Sequence, residues 1–300
     1  MKFNNYIKSP MNYTGGKFKL LDQILPLIPV GTSKNKFIDL FCGGGNVVAN
    51  IHGYEKIACD CITQLIEIYK KFQSTPTKDI INYMYKTIDE YCLSMTNKDA
   101  YLYFRTYYNT CLKKNPLDLF ILICYAFNNQ IRFNSKGEFN MPFGEDRSDF
   151  NSSIKKNLID FCKAIKHVSF YNKDFRLLDI NELKHGDYVY CDPPYLITCA
   201  SYNEQDGWTD KDEYDLLNML NELDKHDIYF GLSNVISNKG KTNEILKTWT
   251  ENNSFIVHHL NYSYSNCSYH TNETANDTDE VFITNYKPSD NEKDNEISLF

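Results

Sequence analysis

The chain has 300 residues, 42% hydrophobic and 15% aromatic, enough to bury a sizeable core in one large α/β domain or a domain with an insertion. No apolar run approaches the roughly 20 residues that cross a bilayer, and the start, Met1-Lys2-Phe3-Asn4-Asn5, lacks the apolar stretch of a secretion signal; a cytoplasmic location is expected and no membrane partner. The net charge of −7 argues against a polyanionic partner on average, but residues 271–300 hold eight acidic and two basic residues while residues 1–36 hold six lysines and one aspartate, which leaves a local basic surface compatible with nucleic acid.

The ten cysteines are scattered, with no C-x-x-C pair and no Cys/His set at zinc spacing, so they read as reduced thiols and no metal is expected. Residues 9–30 read as a glycine turn entering a short amphipathic helix that ends near Pro29. Tyr13, Gly15, Gly16 and Lys17 stand at its start, where free N–H groups favour a carboxylate or phosphate. Next, Lys36–Asn50 is a strand, a Gly43-Gly44-Gly45 turn and the beginning of a helix, and Lys56–Asp60 is a second strand ending in an acid. This is the plan of a nucleotide-type βαβ site, with glycines that admit the ligand and an acid for ribose hydroxyls. The pyrophosphate-clamping G-x-G-x-x-G is missing, so the turn suits an adenosine cofactor without phosphate, such as S-adenosylmethionine, better than NAD or FAD. The plainer alternative is a glycine turn needed only for close packing.

Apolar residues at helical spacing predict helices over Gln64–Phe72, Asp79–Leu93, Ala100–Leu112 and Leu117–Phe127, the third opened by a Thr96/Asp99 capping box and the last apolar nearly all round. The periodicity stops at 128–150, a segment rich in Asn, Gly and aromatics that predicts a hairpin turning at Ser135-Lys136-Gly137. Two of the chain's four arginines, Arg132 and Arg147, lie here, and Arg, Asn and Gln are the favoured base contacts, so a nucleic-acid reader would sit on this hairpin.

Asn151–His167 reads as a helix, and Val168–Phe175 as a strand ending in Asp174 and Phe175, a seat for an adenine ring. Tyr188–Tyr190 is a buried strand that delivers Asp192-Pro193-Pro194-Tyr195 to a loop at its carboxyl end. The two prolines fix φ and stiffen the loop. A carboxylate beside a rigid carbonyl is an acceptor pair for an NH₂ group, and Tyr195 offers a ring on which a base can lie; the chemistry suggested is modification of a planar amine. Leu196–Trp208 reads as a long polar loop, followed by a helix over Thr209–His226, a strand over Asp227–Ser233, a helix over Lys241–Trp249 and a strand over Ser254–Leu260. A polar segment spans 261–279, and a last strand runs over Glu280–Tyr286. The final residues, 287–300, are acidic and expected to be disordered. Strands and helices alternating on both sides of the inserted helices predict a mostly parallel sheet covered on both faces.

Taken together and in order, Asn12–Lys17, Phe37–Gly45, Arg132–Gly144 and Asp192–Tyr195 resemble the Dam family of DNA adenine methyltransferases over residues 9 to about 286. The resemblance implies a Rossmann-like methyltransferase sheet formed by 1–62 and 163–286, with an inserted helical target-recognition domain over 63–162 that carries the hairpin near 128–147. It implies methyl transfer from S-adenosylmethionine to the exocyclic nitrogen of a flipped adenine in double-stranded DNA. By matching motifs, Asp192, Pro193 and Tyr195 would be catalytic. Tyr13, Lys17, Asp39, Phe41, Gly43, Gly45, Asp60, Asp174 and Phe175 would surround the cofactor, and Asn128, Arg132, Asn134 and Pro142 would face DNA. A monomer in solution is expected, within a restriction-modification system or outside one. Many relatives read GATC; here Asn129-Gln130 stands where Gly-Leu often follows the asparagine, and Tyr13 where a tryptophan is common. An RNA adenine or protein glutamine methyltransferase, sharing the Asp192 motif, is the alternative.

Overall fold

The apolar runs separated by helical segments pair side by side. The computed structural model describes residues 6–198, 207–261 and 278–288, and in it eight strands form one sheet. They are β1 (Lys36–Asp39), β2 (Glu55–Asp60), β3 (Val168–Asn172), β4 (Tyr188–Cys191), β5 (Tyr229–Asn238), β6 (Lys241–Thr242), β7 (Ile256–His259) and β8 (Thr278–Thr284). Their order is β3-β2-β1-β4-β5-β8-β7, with β6 paired to β5. The first five run parallel; β8 lies antiparallel between β5 and β7.

A sheet covered on both faces needs apolar side chains in both directions, and successive residues of a strand supply them. Tyr188 and Tyr190 of β4 join Phe37 of β1 on one face, while Val189 and Cys191 join Ile38 and Leu40 on the other. Phe37 stacks on Tyr188 with ring centroids 5.6 Å apart. The short α1 (Leu21–Ile24) and α2 (Asn46–Asn50) cover the first face, and leucines of α8 (Asp210–Lys225) and α9 (Glu244–Asn253) fill the second.

Between β2 and β3 the chain makes α3 (Thr63–Ser74), α4 (Thr77–Glu90), α5 (Lys98–Thr110), α6 (Pro116–Tyr125) and α7 (Ser152–Ala164). α3 rests on β2 and β3, and α6, buried along Leu117–Tyr125 as its uniform apolarity predicts, is enclosed by α3, α4 and α5. Residues 126–144 turn back as a hairpin held by two isolated bridges, Ala126 with Phe143 and Phe133 with Phe139. Gly137, at φ +73°, makes the reversal where the sequence places it.

Several boundaries differ from the sequence expectation for local reasons. The N-terminal helix is broken into a 3-10 turn over Lys17–Leu20, α1 and a second 3-10 turn over Leu25–Leu27, because Pro26 has no N–H to continue the ladder. Asn97, not Thr96, caps α5, accepting the Ala100 N–H at 3.1 Å. β5 runs on to Asn238 and reverses through Lys239 and Gly240, both at positive φ, into β6, so α9 begins only at Glu244. Much of the predicted 196–208 loop, of the 261–279 segment and of the acidic tail lies outside the described residues.

β1 and β4 are neighbours at which the strand order reverses: β2 and β3 follow on one side, β5 on the other. A ligand crevice opens outside the carboxyl ends of such a pair. Among the described residues no helix is long and apolar enough to cross a membrane.

Candidate active site

Strands β1, β2 and β4 deliver Asp39, Asp60 and Asp192 to one edge of the sheet. Because β8 runs the other way, its beginning lies at that same edge, and Glu280, paired in register with Val235 of β5, joins the three acids.

Asp192 follows directly on β4, and its side chain is only 17% exposed. Its Oδ1 accepts the Lys17 ammonium at 2.8 Å and the Tyr195 hydroxyl at 2.9 Å, and no described residue donates to Oδ2. Burial pushes the Asp192 carboxyl above its usual range; Lys17 and the Tyr195 hydrogen bond pull it partly back. Lys17, 3% exposed, also donates to the Gly15 carbonyl at 2.8 Å, lies 3.6 Å from Glu280 Oε1, and sits 4.9 Å from the centre of the Tyr195 ring. Tyr195 reaches Glu280 Oε1 as well, at 3.4 Å. Lys17 is therefore bound to the Asp192 cluster rather than presented at a helix start: the 3-10 turn that follows Gly16 is too short to gather free N–H groups. Glu280 carries no sequence motif. Only the direction of its strand brings it here, and the sequence offers that direction no signal.

The glycine turn lies beside this cluster. Leu40 N–H bonds to the Tyr190 carbonyl at 3.0 Å, tying the exits of β1 and β4 together. Gly43 and Gly45 have φ of +43° and +71°, and a Cβ on either would stand 2.9 Å from a ring, that of Tyr13 or Phe161 respectively, so both positions require glycine. Asp60 accepts the Gly43 N–H through Oδ2 and the Ile62 N–H through Oδ1, each at 2.9 Å, and so shapes the turn. Asp39 is 1% exposed and its Oδ1 has no hydrogen-bond partner among the described residues. Burial, then the charge of Asp192, pushes its carboxyl well above the usual range. A buried acceptor without a donor at the carboxyl end of a strand is a place for a ligand's cationic or N–H group.

Phe41 and Phe175 meet at 5.3 Å, and Trp208, a residue the motifs do not mark, packs against both at 5.8 and 5.7 Å. Its indole N–H donates to Glu213 Oε2 at 2.6 Å. Glu213 is fully buried and also receives the Asn234 and Asn243 amides at 3.2 and 2.8 Å. Asp174 is exposed; it caps the Arg176 N–H and pairs with the Arg176 guanidinium, which also binds Asp212 and Asp215 of α8.

The hairpin residues are placed less simply. Arg132 uses Nε and Nη2 within the hairpin, on the Asn140 side-chain oxygen at 2.9 Å and its carbonyl at 3.2 Å. Asn134 holds the turn by accepting the Lys136 and Glu138 N–H groups. Pro142 is exposed, and its carbonyl accepts the Phe127 N–H. Asn128 and Asn129 both sit at positive φ, +55° and +53°. Asn129 donates to the Cys124 carbonyl at 2.7 Å at the end of α6, and the Asn128 carbonyl accepts the Asn12 amide at 2.8 Å, which joins this bend to the Tyr13–Lys17 segment. No group of three or more His, Cys, Asp or Glu residues that could hold a metal ion occurs among the described residues.

The sequence profile of the D12 class N6 adenine-specific DNA methyltransferases matches residues 13–266. The chain is 44% identical over 291 residues to the type II methyltransferase M.FokI of Planomicrobium okeanokoites, covering 95% of this chain and 44% of that protein. It is 42% identical over 288 residues to the modification methylase StsI of Streptococcus sanguinis, covering 94% and 43%. With the DNA adenine methylase of Salmonella typhi it shares 26% over 197 residues, 64% of this chain and 66% of that one. The chain thus spans less than half the length of the first two relatives.

Proposed function

The chain belongs to the D12 class of N6 adenine-specific DNA methyltransferases, and from that premise we propose that it moves a methyl group from S-adenosylmethionine to the exocyclic amino nitrogen of an adenine flipped out of duplex DNA. The observation that carries the reading is Asp192: a proline-stiffened, largely buried carboxylate with one oxygen anchored by Lys17 and Tyr195 and the other without a donor among the described residues.

Adenine's amino nitrogen is a weak nucleophile because its lone pair is delocalised into the ring. Asp192 Oδ2 and the Pro193 carbonyl, each accepting one amino proton, return electron density to that nitrogen and aim its lone pair out of the ring plane. Lys17 favours the ionised form of the buried carboxylate against the desolvation that raises it, and Tyr195 fixes its orientation. The Tyr195 ring offers a stacking surface worth about 1–3 kcal/mol against the few kcal/mol of unstacking the base. Asp192 needs no strong basicity, since the amino proton is acidic once the nitrogen has become cationic.

S-adenosylmethionine supplies, when bound, an electrophilic methyl group on a sulfonium. The residues present fit it. Asp39 Oδ1, without a donor among the described residues, would accept its ammonium, Gly43 and Gly45 would let the backbone approach, Asp60 would take ribose hydroxyls on the lone pairs its two N–H bonds leave, and Tyr13 and the Phe41–Phe175–Trp208 cluster would provide apolar walls. Lys17 serves Asp192 in this reading, and Asp174 orders the turn that presents Phe175.

We assign duplex recognition to α4, α5, α6 and the 126–144 hairpin, with Asn128, Arg132, Asn134 and Pro142. This span is narrower than 63–162 because α3 rests on β2 and β3. The type II and modification enzymes among the relatives support a role as the modifying partner of a restriction system; that the enzyme acts as a monomer is part of the proposal. Asn129, where the sequence departs from relatives that read GATC, is used to cap α6; the proposed target is an adenine in a defined duplex site, with GATC as one sequence to test. The RNA or protein glutamine alternative is not favoured by a match to DNA methyltransferases.

The test is methylation of duplex DNA, RNA and protein with labelled S-adenosylmethionine, nucleosides being identified by mass spectrometry. N6-methyladenine in duplex DNA is expected. Asp192→Ala is expected to lose transfer by a thousandfold or more while cofactor affinity changes less than about threefold. Retained turnover in that variant would falsify the mechanism.

A further inference from the structure

Lys17 has two carboxylates within reach, and the motifs account for one of them. We propose that Glu280 is a positioning residue for the Asp192 site: it shares the Lys17 ammonium and the Tyr195 hydroxyl with Asp192, so that Lys17 favours the ionised carboxylate from Oδ1 without being drawn across to Oδ2, the oxygen the substrate amine needs. The inference rests on the adenine methyltransferase reading for its catalytic consequence, and on geometry for the rest.

The geometry is a four-membered cluster. Lys17 Nζ stands 2.8 Å from Asp192 Oδ1 and 3.6 Å from Glu280 Oε1, and Tyr195 Oη stands 2.9 Å and 3.4 Å from the same two oxygens. Both donors are thus nearer Asp192, with Glu280 as the second ion-pair partner of Lys17 and the second acceptor of Tyr195. Glu280 is itself nearly buried, at 14% side-chain exposure, and burial raises its carboxyl while Lys17 lowers it. An ammonium held by one buried carboxylate alone would draw fully onto it. One shared between two can move toward Glu280 as the amine arrives at Asp192, and back when the product leaves, without ever becoming an unpaired buried charge. The groups facing Asp192 are Lys17 from the N-terminal turn, Tyr195 from its own loop, Asp39 from β1, Tyr190 from β4 and Glu280 from β8. Of the acids among them only Glu280 also touches Lys17.

Two measurements on the full chain test this. In single-turnover methylation on the high-pH plateau, Glu280→Gln is expected to slow transfer about tenfold or more in an otherwise unchanged protein, and less than twofold in a Lys17→Met background. Glu280→Asp should restore part of the loss. Equal losses in both backgrounds would overturn the proposal, because Glu280 would then act without Lys17. The second measurement uses neither DNA nor cofactor: the Asp192 carboxyl carbon is titrated by NMR in ¹³C-labelled protein. With Glu280→Gln, Asp192 is expected to titrate at lower pH, as a like charge is removed and Lys17 is no longer shared. An unmoved Asp192 titration overturns the proposal. If Glu280→Gln shifts the Asp192 titration yet the wild-type protein methylates no adenine, the functional reading is overturned and the cluster is left intact.

Discussion

Replacing Lys17 by methionine keeps the aliphatic stem and removes the ammonium that holds Asp192 at 2.8 Å. Both partners are largely buried, at 3% and 17% exposure, so this is not a surface pair worth next to nothing. A hydrogen bond to a charged group contributes about 1.5–3 kcal/mol, roughly a ten- to hundredfold change in the ratio of ionised to protonated Asp192. Burial already raises this carboxyl, and losing Lys17 raises it further. Transfer needs the ionised form, so the acidic limb of the kcat/KM profile must move to higher pH. At a fixed pH on that limb the rate falls about ten- to hundredfold and recovers as the pH rises. The same change acts on folding. A carboxyl raised in the native state favours that state at low pH and loses the advantage as pH climbs from the ordinary carboxylate range through the raised value. Thermal melts of Lys17→Met should therefore fall more steeply with pH than those of the wild type. A limb that stays in place, or moves to lower pH, refutes the assignment of Lys17 to Asp192.

Tyr195→Phe keeps the ring but loses the hydroxyl bond to Asp192, so single-turnover rates should fall about tenfold to a hundredfold; a loss under twofold would mean that stacking alone matters. Arg132→Ala and Asn140→Ala should weaken DNA binding alike, since the two side chains hold each other. If Arg132→Ala alone relaxes discrimination at one base position, the arginine leaves Asn140 to read DNA. Glu213→Gln turns one acceptor into a donor facing the Trp208 or asparagine N–H groups, at a cost of about 1–3 kcal/mol in stability. It should also weaken cofactor binding, seen by calorimetry, and alter tryptophan fluorescence; unchanged affinity would show that Trp208 does not wall the cofactor site.

The strand that carries Asp192 was legible because a parallel strand buried on both faces is apolar without interruption, and the proline pair marks its end. The β1 turn was legible for the complementary reason: Gly43 and Gly45 adopt backbone angles that other residues avoid, so their spacing is written in composition. What the sequence hid is contact between distant segments. Lys17 read as part of a glycine turn, yet its nearest charge is 175 positions away. Glu280 read as the first residue of an ordinary strand, and only the antiparallel insertion of β8 turns a strand's beginning toward the crevice. Trp208 is held against Phe41 and Phe175 through a bond to a buried glutamate, and Arg132, named from its type as a base reader, is occupied by Asn140. Residue type gave each of these side chains a capacity, and tertiary packing chose the partner.

The cluster around Asp192 draws one member from the seventeenth residue and another from the two hundred and eightieth. During synthesis the glycine turn, the helices and the Asp192 loop all leave the ribosome before β8 does. A nascent chain, or a fragment cut anywhere ahead of β8, can therefore have most of its sheet and still lack one of the two acids that share Lys17. The cluster around Asp192 is thus completed only once β8 has been made and has inserted beside β5.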